Sequence, residues 1–433
     1  MPLFSGRSYL TYCARCLYPA NHPLGIVFDA GSLCSGCHVH EEKDRLDWRE
    51  RVAKLQRLVR EYKAQTRSIH DCVVPVSGAR DSHFIVHVVK NVLGLHPLLV
   101  TYNKHYNTNA GIRNLAYLRS LAGADIVTMT VSPDRVKRIT RETIRLRGSI
   151  YWHCIAGQTA FPVQIAVKFK IPLIIWGAHQ GVDQVGMFSH LDEVEMTRKY
   201  REEHDLMQLD EDSLVAASPG LSSSDVEPYR YPHDKEIEAV GVRGIYLNNY
   251  FRWDSKAQHE QMISAGYGYE TRPQSRTFDT YNDVDCFHYS GLHDYIKYLK
   301  YGYGKATDHA CREIRLGRLT REQGSALVHH YAGVRPTDTD QFLAWLGMSA
   351  DEFWLHVNRY RDPSIWQSVE TGWALRDSIA AHQLDQRIEA VRLKTVGTCE
   401  FQHTPPRNSA DNVDYTLVGR GWADRGNVNG AER

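Results

Sequence analysis

The stretch that decides the fold is "DCVVPVSGARDSHFIVHVV", residues 71–89. A short apolar run leads through a loop of small and polar residues into a second apolar segment. This arrangement predicts a buried strand that turns directly into a helix. At a helix start the backbone N–H groups point outward and the dipole is positive, and Ser77 and Ser82 add hydroxyl donors. Residues 77–82 are therefore a predicted anion site.

Strand and helix patterns alternate along the following hundred residues. Apolar runs at 71–76, 96–102, 124–131 and 171–177 predict strands, and the segments between them show helical periodicity. Such alternation predicts a doubly wound, parallel α/β sheet with its functional site at the carboxyl ends of the strands. An amphipathic helix is predicted ahead of the first strand.

The loop carries neither the Walker pattern nor the dinucleotide G-x-G-x-x-G pattern. It resembles S-G-G-x-D-S, the pyrophosphate loop of the PP-loop ATPases, whose fold is adenine nucleotide alpha-hydrolase-like. The resemblance implies cleavage of ATP to AMP and pyrophosphate with Mg²⁺, and catalytic roles for Ser77, Asp81 and Ser82. Implied ATP-binding residues are Ser77, Gly78, Ala79, Arg80, Asp81, Ser82, Thr101, Tyr102, Asn103 and Gly177.

Ala79 departs from the family pattern, which has a second glycine at this position. A glycine would permit positive φ and a close approach of the backbone to phosphate oxygens. If φ is positive here, alanine costs roughly 1 kcal/mol and weakens ATP use. If φ is negative, the cost is small because alanine still presents its N–H.

Overall composition is that of an ordinary globular protein, with 42% hydrophobic and 24% charged residues in 433. The formal net charge of +1 argues against a polyanionic partner, so no nucleic acid is expected. The sequence has no membrane-spanning apolar run and no signal-peptide pattern. We therefore expect a cytoplasmic protein without a membrane partner.

Two C-x-x-C pairs lie near the N-terminus, Cys13 with Cys16 and Cys34 with Cys37. Four thiolates at this spacing are typical of a tetrahedral zinc ribbon. A segment of about 35 residues buries too little apolar surface to fold without such a metal site. Since all four ligands are protein groups, we expect a structural Zn²⁺ site. Two disulfides or four free thiols are the alternatives.

Longer strings extend the resemblance from about residue 13 to about residue 366. Strings such as "CARCLYP", "FPVQIAVKFKIPLIIWG" and "DVDCFHYSGLHDYIKYLKYGYG" are similar to those of N-acetyl sugar amidotransferases in bacterial surface-polysaccharide (O-antigen, lipopolysaccharide) biosynthesis. This resemblance implies a carbon–nitrogen ligase that adenylates the acetamido oxygen of a nucleotide-linked sugar. Ammonia then displaces AMP and leaves an acetamidino group.

The source of ammonia is implied to be a separate glutaminase subunit. The sequence has neither a cysteine after Met1 nor a G-x-C-x-G string that would indicate its own glutaminase. A tRNA-modifying PP-loop ligase or thiolase is one alternative function. A weakened or inactive PP-loop scaffold that docks a glutaminase is the other, and Ala79 is the feature that supports it.

Other polar positions are candidate substrate contacts because titratable, glycine and aromatic residues cluster there. They are Trp152, His153, His179, His288, His293, Lys305, His309 and Arg312. Cys154, placed just before a helix, is either a core residue or a catalytic or iron–sulfur cysteine. The family resemblance implies that an acid often follows the glycine of "IIWG", where this chain has Ala178.

The predicted organisation has five parts. They are a zinc ribbon at 1–45, a PP-loop α/β domain at 46–205, a polar surface insertion or lid at 206–235, a mostly helical substrate or partner region at 236–366, and a loosely ordered tail at 367–433.

Overall fold

A computed structural model describes residues 10–66, 68–264, 266–267, 274–280, 284–370 and 372–382. At its centre is a five-stranded parallel sheet with the strand order β3-β2-β1-β4-β5. The strands of this sheet are β1 (Cys72–Pro75), β2 (Pro97–Tyr102), β3 (Ile126–Met129), β4 (Leu173–Trp176) and β5 (Arg243–Tyr246). The register places Val74 opposite Leu99 and Val73 opposite Ile174.

The helices of the described chain cover the sheet and build the surrounding regions. They are α1 (Ser35–Glu42), α2 (Trp48–Gln65), α3 (Arg80–His87), α4 (Asn109–Ala122), α5 (Pro133–Arg147), α6 (Trp152–Phe169), α7 (Gln180–Asp183), α8 (Arg198–Tyr200), α9 (Glu211–Ala216), α10 (Ser223–Val226), α11 (Asp234–Val240), α12 (Ser255–Ser264), α13 (Phe287–Tyr301), α14 (Lys305–Arg315), α15 (Arg321–Ala332), α16 (Thr339–Leu346) and α17 (Ala350–Asn358). Single π-helical turns extend α3 over Val88–Val92 and α8 over Arg201–Asp205.

Both faces of the sheet are buried, as the near-continuous apolar strands require. On one face Val74 and Leu99 pack with Phe84 of α3 and Leu55 of α2. On the other face Val73 joins a cluster with residues of α6. The predicted doubly wound parallel sheet is therefore confirmed, and α3 begins directly after the first strand.

The fifth strand was not predicted from the sequence. Arg243–Tyr246 pairs with β4 in parallel, within the region expected to be mostly helical. Only Gly244 and Ile245 of its four residues are buried, and glycine has no side chain, so the strand gives a weak periodic signal. The strand becomes recognisable only by its pairing.

Two other regions differ from the predicted boundaries. The segment predicted as an insertion or lid buries Leu209, Leu214 and Tyr229 in one cluster with Trp152 of α6, so it shares a core with the α/β unit. At the start of the predicted tail, β6 (Trp366–Val369) and β7 (Gly372–Leu375) form an antiparallel hairpin. Residues 383–433 lie outside the described residues.

Candidate functional site

The loop after β1 is built around one obligatory glycine. Gly78 has φ of +85°, and a methyl group there would lie 2.5 Å from the carbonyl oxygen of Gly111 in α4. Ala79 has φ of −79° and is the N-cap residue of α3. Alanine adopts this conformation without strain, so the substitution of the family's second glycine imposes no positive-φ cost.

Side chains of the loop close it into a compact turn. The Ser82 hydroxyl accepts from the Ser77 N–H at 2.9 Å, and the Ser77 hydroxyl accepts from the Ala79 N–H at 3.3 Å. Arg80 is buried, and its Nε donates to Asp81 Oδ1 at 2.8 Å. The Asp81 side chain is 42% exposed, which leaves its carboxylate accessible beside the loop.

A cavity of about 200 Å³ lies between the loop and the end of β2, and we call it the β2-side cavity. Its lining includes Ser77, Thr101, Tyr102, Asn103, Lys104 and Arg119. Lys104 is buried and donates to Asp285 Oδ2 at 2.5 Å. Burial alone would lower the pKa of Lys104, but the Asp285 carboxylate holds that pKa well above its usual range.

A second cavity of about 290 Å³ lies between the loop and the ends of β4 and β5, and we call it the β4-side cavity. It shares Ser77 and Tyr102 with the first cavity, so the loop stands between the two. Asp81, Ser82, Gly177 and His179 also line it, as do aromatic side chains. These include Trp176, Tyr200, Tyr231 and Tyr246.

Three buried N–H groups in the β4-side cavity have no hydrogen-bond partner within the described chain: Trp176 Nε1, His179 Nε2 and Arg201 Nη1. His179 Nδ1 accepts from the Gly181 N–H at 3.1 Å, so the neutral ring carries its proton on Nε2. Burial lowers the pKa of His179 to about 4, which keeps the ring neutral near pH 7. Unpaired buried donors are costly and are typical of sites that take up a polar ligand.

Asp205 contributes a carboxylate to the same cavity. Burial raises the pKa of Asp205 to about 7, although Arg201 opposes this shift. Lys104, Arg201 and Asp205 are not predictable from the sequence as site residues, because nothing in their local pattern distinguishes them from surface charges. They become recognisable as cavity residues only in the folded chain, where the end of β2 and the extension of α8 lie beside the Ser77 loop.

The residues predicted to contact substrate do not lie together in the structure. Only His179 of this set lines the β4-side cavity. Trp152 and His153 lie buried in α6, where Trp152 Nε1 donates to the Leu209 carbonyl at 2.7 Å and His153 lies between two tyrosine hydroxyls. Neither residue lines the β2-side or the β4-side cavity, and their contact with substrate stays a prediction. Cys154 is fully buried within the same helix rather than ahead of it.

The C-terminal candidates make contacts of their own, and neither described cavity is lined by them. Lys305 Nζ donates to Ser290 Oγ at 2.8 Å, His309 Nδ1 lies 2.7 Å from Thr277 Oγ1, and Arg312 pairs with Asp279 at 2.7 Å. The ring of His293 lies 4.9 Å from that of Tyr151. The side chain of His288 lies outside the described residues.

The four N-terminal cysteines converge as the spacing predicts. Their Sγ atoms all lie within 4.8 Å of one another, and all four are buried. The Cys13–Cys37 and Cys16–Cys34 sulfur distances are 3.8 and 3.6 Å, far beyond the roughly 2.05 Å of a disulfide. This donor set fits a structural zinc ribbon.

The ribbon packs directly on the loop that follows β4. Ser35 Oγ donates to the Val185 carbonyl at 2.6 Å, and Lys43 pairs with Asp183 at 2.6 Å. From α14, Arg315 donates to the Gln184 carbonyl and reaches Cys34 Sγ at 3.5 Å. The cysteine cluster therefore holds in place the loop that begins at His179.

Fold and loop together define the class: a PP-loop α/β protein with an S-G-x-x-D-S loop after its first strand. Residues 275–379 match the family model described as LPS biosynthesis protein WbpG-like, C-terminal domain. The match confirms the resemblance to proteins of surface-polysaccharide biosynthesis.

Other comparisons are more distant. An NMN synthetase from Francisella tularensis is 12% identical, with 45% of this chain and 93% of that chain covered and a TM-score of 0.26. An NH3-dependent NAD synthetase from Campylobacter jejuni is 11% identical, with 52% and 100% covered and a TM-score of 0.28. No curated protein matches the chain. No helix among the described residues is long and apolar enough to cross a membrane.

Proposed function

We propose that the chain is an ATP-dependent amidotransferase that forms AMP and pyrophosphate and converts the acetamido group of a nucleotide-linked sugar into an acetamidino group. The observation that carries the proposal is the position of the Ser77 loop between two cavities at the carboxyl edge of the sheet. Adenylation requires a nucleotide and an acceptor to meet at one phosphate, and the loop lies where two such ligands would meet.

The charges of the two cavities assign the ligands. Lys104 and Arg119 line the β2-side cavity, which suits the anionic nucleotide. Thr101 and Asn103 lie at the end of β2, where the family resemblance puts adenosine. In the β4-side cavity, aromatic walls and unpaired N–H donors suit a sugar ring and its acetamido oxygen.

The loop would bind the pyrophosphate end of ATP. The start of α3 directs backbone N–H groups and a positive dipole end toward it, and Ser77 and Ser82 are adjacent. The accessible Asp81 carboxylate is suited to hold Mg²⁺, which would neutralise phosphate charge when bound. Catalysis then comes from positioning and from stabilising the leaving pyrophosphate.

In this reaction the acetamido oxygen attacks the α-phosphorus of ATP, pyrophosphate leaves, and the amide N–H proton passes to water, which gives a neutral adenylated imidate. Ammonia adds to the imidate carbon, and the C–O bond to AMP breaks. We propose that a separate glutaminase subunit supplies the ammonia. The negative φ of Ala79 removes the feature that favoured an inactive scaffold.

The test is incubation of the protein with ATP, Mg²⁺, ammonium chloride and a panel of UDP-N-acetyl sugars. We expect AMP and pyrophosphate release with one sugar, and a product whose mass shows NH in place of O. Turnover with glutamine alone would contradict the need for a separate glutaminase. AMP release that requires tRNA instead of a sugar would favour the tRNA-modifying alternative.

A further inference from the structure

We infer that Asp205 binds ammonium in the β4-side cavity and takes its proton before nitrogen transfer, an inference that rests on the proposed function. Amide activation by adenylation needs a neutral amine as the attacking nucleophile. Ammonia in water near pH 7 is largely protonated. A site that uses it therefore needs a group that attracts the cation and accepts its proton.

The charges around Asp205 leave its carboxylate available. Asp81, the other carboxylate of this cavity, accepts from Arg80 through Oδ1 and is the carboxylate proposed above to hold Mg²⁺. Arg201, four residues before Asp205, is paired with Glu211 at 2.5 Å. No residue in the described chain donates a hydrogen bond to the Asp205 side chain or forms an ion pair with it.

The tyrosines and His179 that line the same cavity as Asp205 are neutral near pH 7. Tyr246 of β5 and Tyr200 of α8 both have a pKa raised by burial and, further, by the Asp205 charge. His179, after β4, is held neutral by burial. Aromatic faces beside a free carboxylate favour a small cation over an anion.

Proton balance defines the step. The Asp205 carboxylate accepts a proton from ammonium, and the N–H electron pair becomes the lone pair of ammonia. That lone pair forms the C–N bond to the carbon of the adenylated imidate. The C–O bond breaks and its electron pair leaves with AMP, so all three hydrogens of ammonia stay on the protonated amidine. Asp205 returns its proton to water. A carboxyl group with a pKa near neutrality is suited to this exchange.

The test compares wild type, Asp205→Asn, Asp205→Glu and the control Glu203→Gln, an exposed acid on the same helical turn. With ATP, the active UDP-sugar and ammonium chloride at pH 7, Asp205→Asn should lose about 100-fold in kcat/KM for ammonium, the low end of general-base effects. Raising the pH should restore activity, since free ammonia bypasses the base. Asp205→Glu should recover part of it, and Glu203→Gln should match wild type.

The adenylation half-reaction separates the possible failures. Sugar-dependent ATP–pyrophosphate exchange should be unchanged in Asp205→Asn, because that step involves no ammonia. If Asp205→Asn loses the exchange activity, or if its ammonium kinetics equal those of wild type, the proposed role of Asp205 is wrong but the proposed function is not affected. Absence of AMP release by wild type with every sugar would overturn the proposed function.

Discussion

The two cavities beside Ser77 share one wall but have opposite chemical character. The β2-side cavity contains Lys104 and Arg119. The β4-side cavity contains a free Asp205 carboxylate, aromatic rings and three N–H donors without partners. One loop can therefore hold the phosphate chain of ATP between the nucleoside on one side and the acetamido group of the acceptor on the other. The asymmetry lies in the side chains that other segments bring to each side.

Gly78→Ala should have the largest effect, because it changes the wall common to both cavities. The new methyl group would occupy a positive-φ position and approach the Gly111 carbonyl to 2.5 Å. Loop distortion of roughly 2 kcal/mol or more should reduce kcat/KM for ATP by at least about 30-fold. Steady-state AMP release measures it, with circular dichroism to show that the variant folds. Wild-type kinetics would show that the loop does not bind ATP.

Lys104→Met should affect the β2-side cavity alone. A charge-assisted contact to phosphate is worth about 1.5–3 kcal/mol, so KM for ATP should rise about tenfold or more. KM for the sugar should change little. Asp285 would be left unpaired, so the double variant Lys104→Met/Asp285→Asn is the control for destabilisation. An increase in the KM of the sugar instead would reverse the assignment of the two cavities.

Removal of metal by a chelator should affect the β4-side cavity. The cysteine cluster holds the loop after β4 through Ser35, Lys43 and Arg315. Without metal the ribbon should lose its fold, because such small domains depend on it. We expect a several-fold loss of sugar turnover with a smaller change in KM for ATP, and recovery on adding Zn²⁺. Equal losses for both substrates would mean that the ribbon supports the whole fold.

Lowering the pH should destabilise the protein through His179. Its pKa is about 4 when folded, below the roughly 6.5 of an unfolded histidine. The folded state binds fewer protons within this window, so stability falls as pH decreases from about 6.5 to about 4. The slope from this residue approaches about 1.4 kcal/mol per pH unit. Urea unfolding at pH 7.5 and pH 5 should show a smaller decrease in His179→Asn than in wild type.

Ala79→Gly should have the smallest effect. Ala79 has φ of −79°, which alanine and glycine both adopt, so the loop does not use the additional conformations that glycine allows. Activity should stay within about twofold, and stability should fall by about 0.5–1 kcal/mol because the unfolded chain gains freedom. A marked gain in ATP affinity would show that the loop rearranges to positive φ when ATP binds.

Local patterns predicted the first four strands and the strand–loop–helix order because each strand lies in a run of apolar and β-branched residues. β1, β2 and β4 are largely buried, whereas β3 is partly exposed. They did not predict β5, where only Gly244 and Ile245 are buried. Residue type also gave no sign that Trp152 and His153 would be buried in α6, away from both cavities. Residue type shows what a side chain can do, but the direction of α6 decides what it contacts.

By itself, the sequence determined the pyrophosphate-type loop, the four-cysteine spacing and the parallel α/β order, since each depends on residues close together in the chain. Tertiary structure alone decided the negative φ of Ala79, the pairing of Lys104 with Asp285, and the meeting of His179 with Asp205 at one cavity. These features depend on contacts between distant segments, and no local periodicity encodes which distant side chains share a cavity.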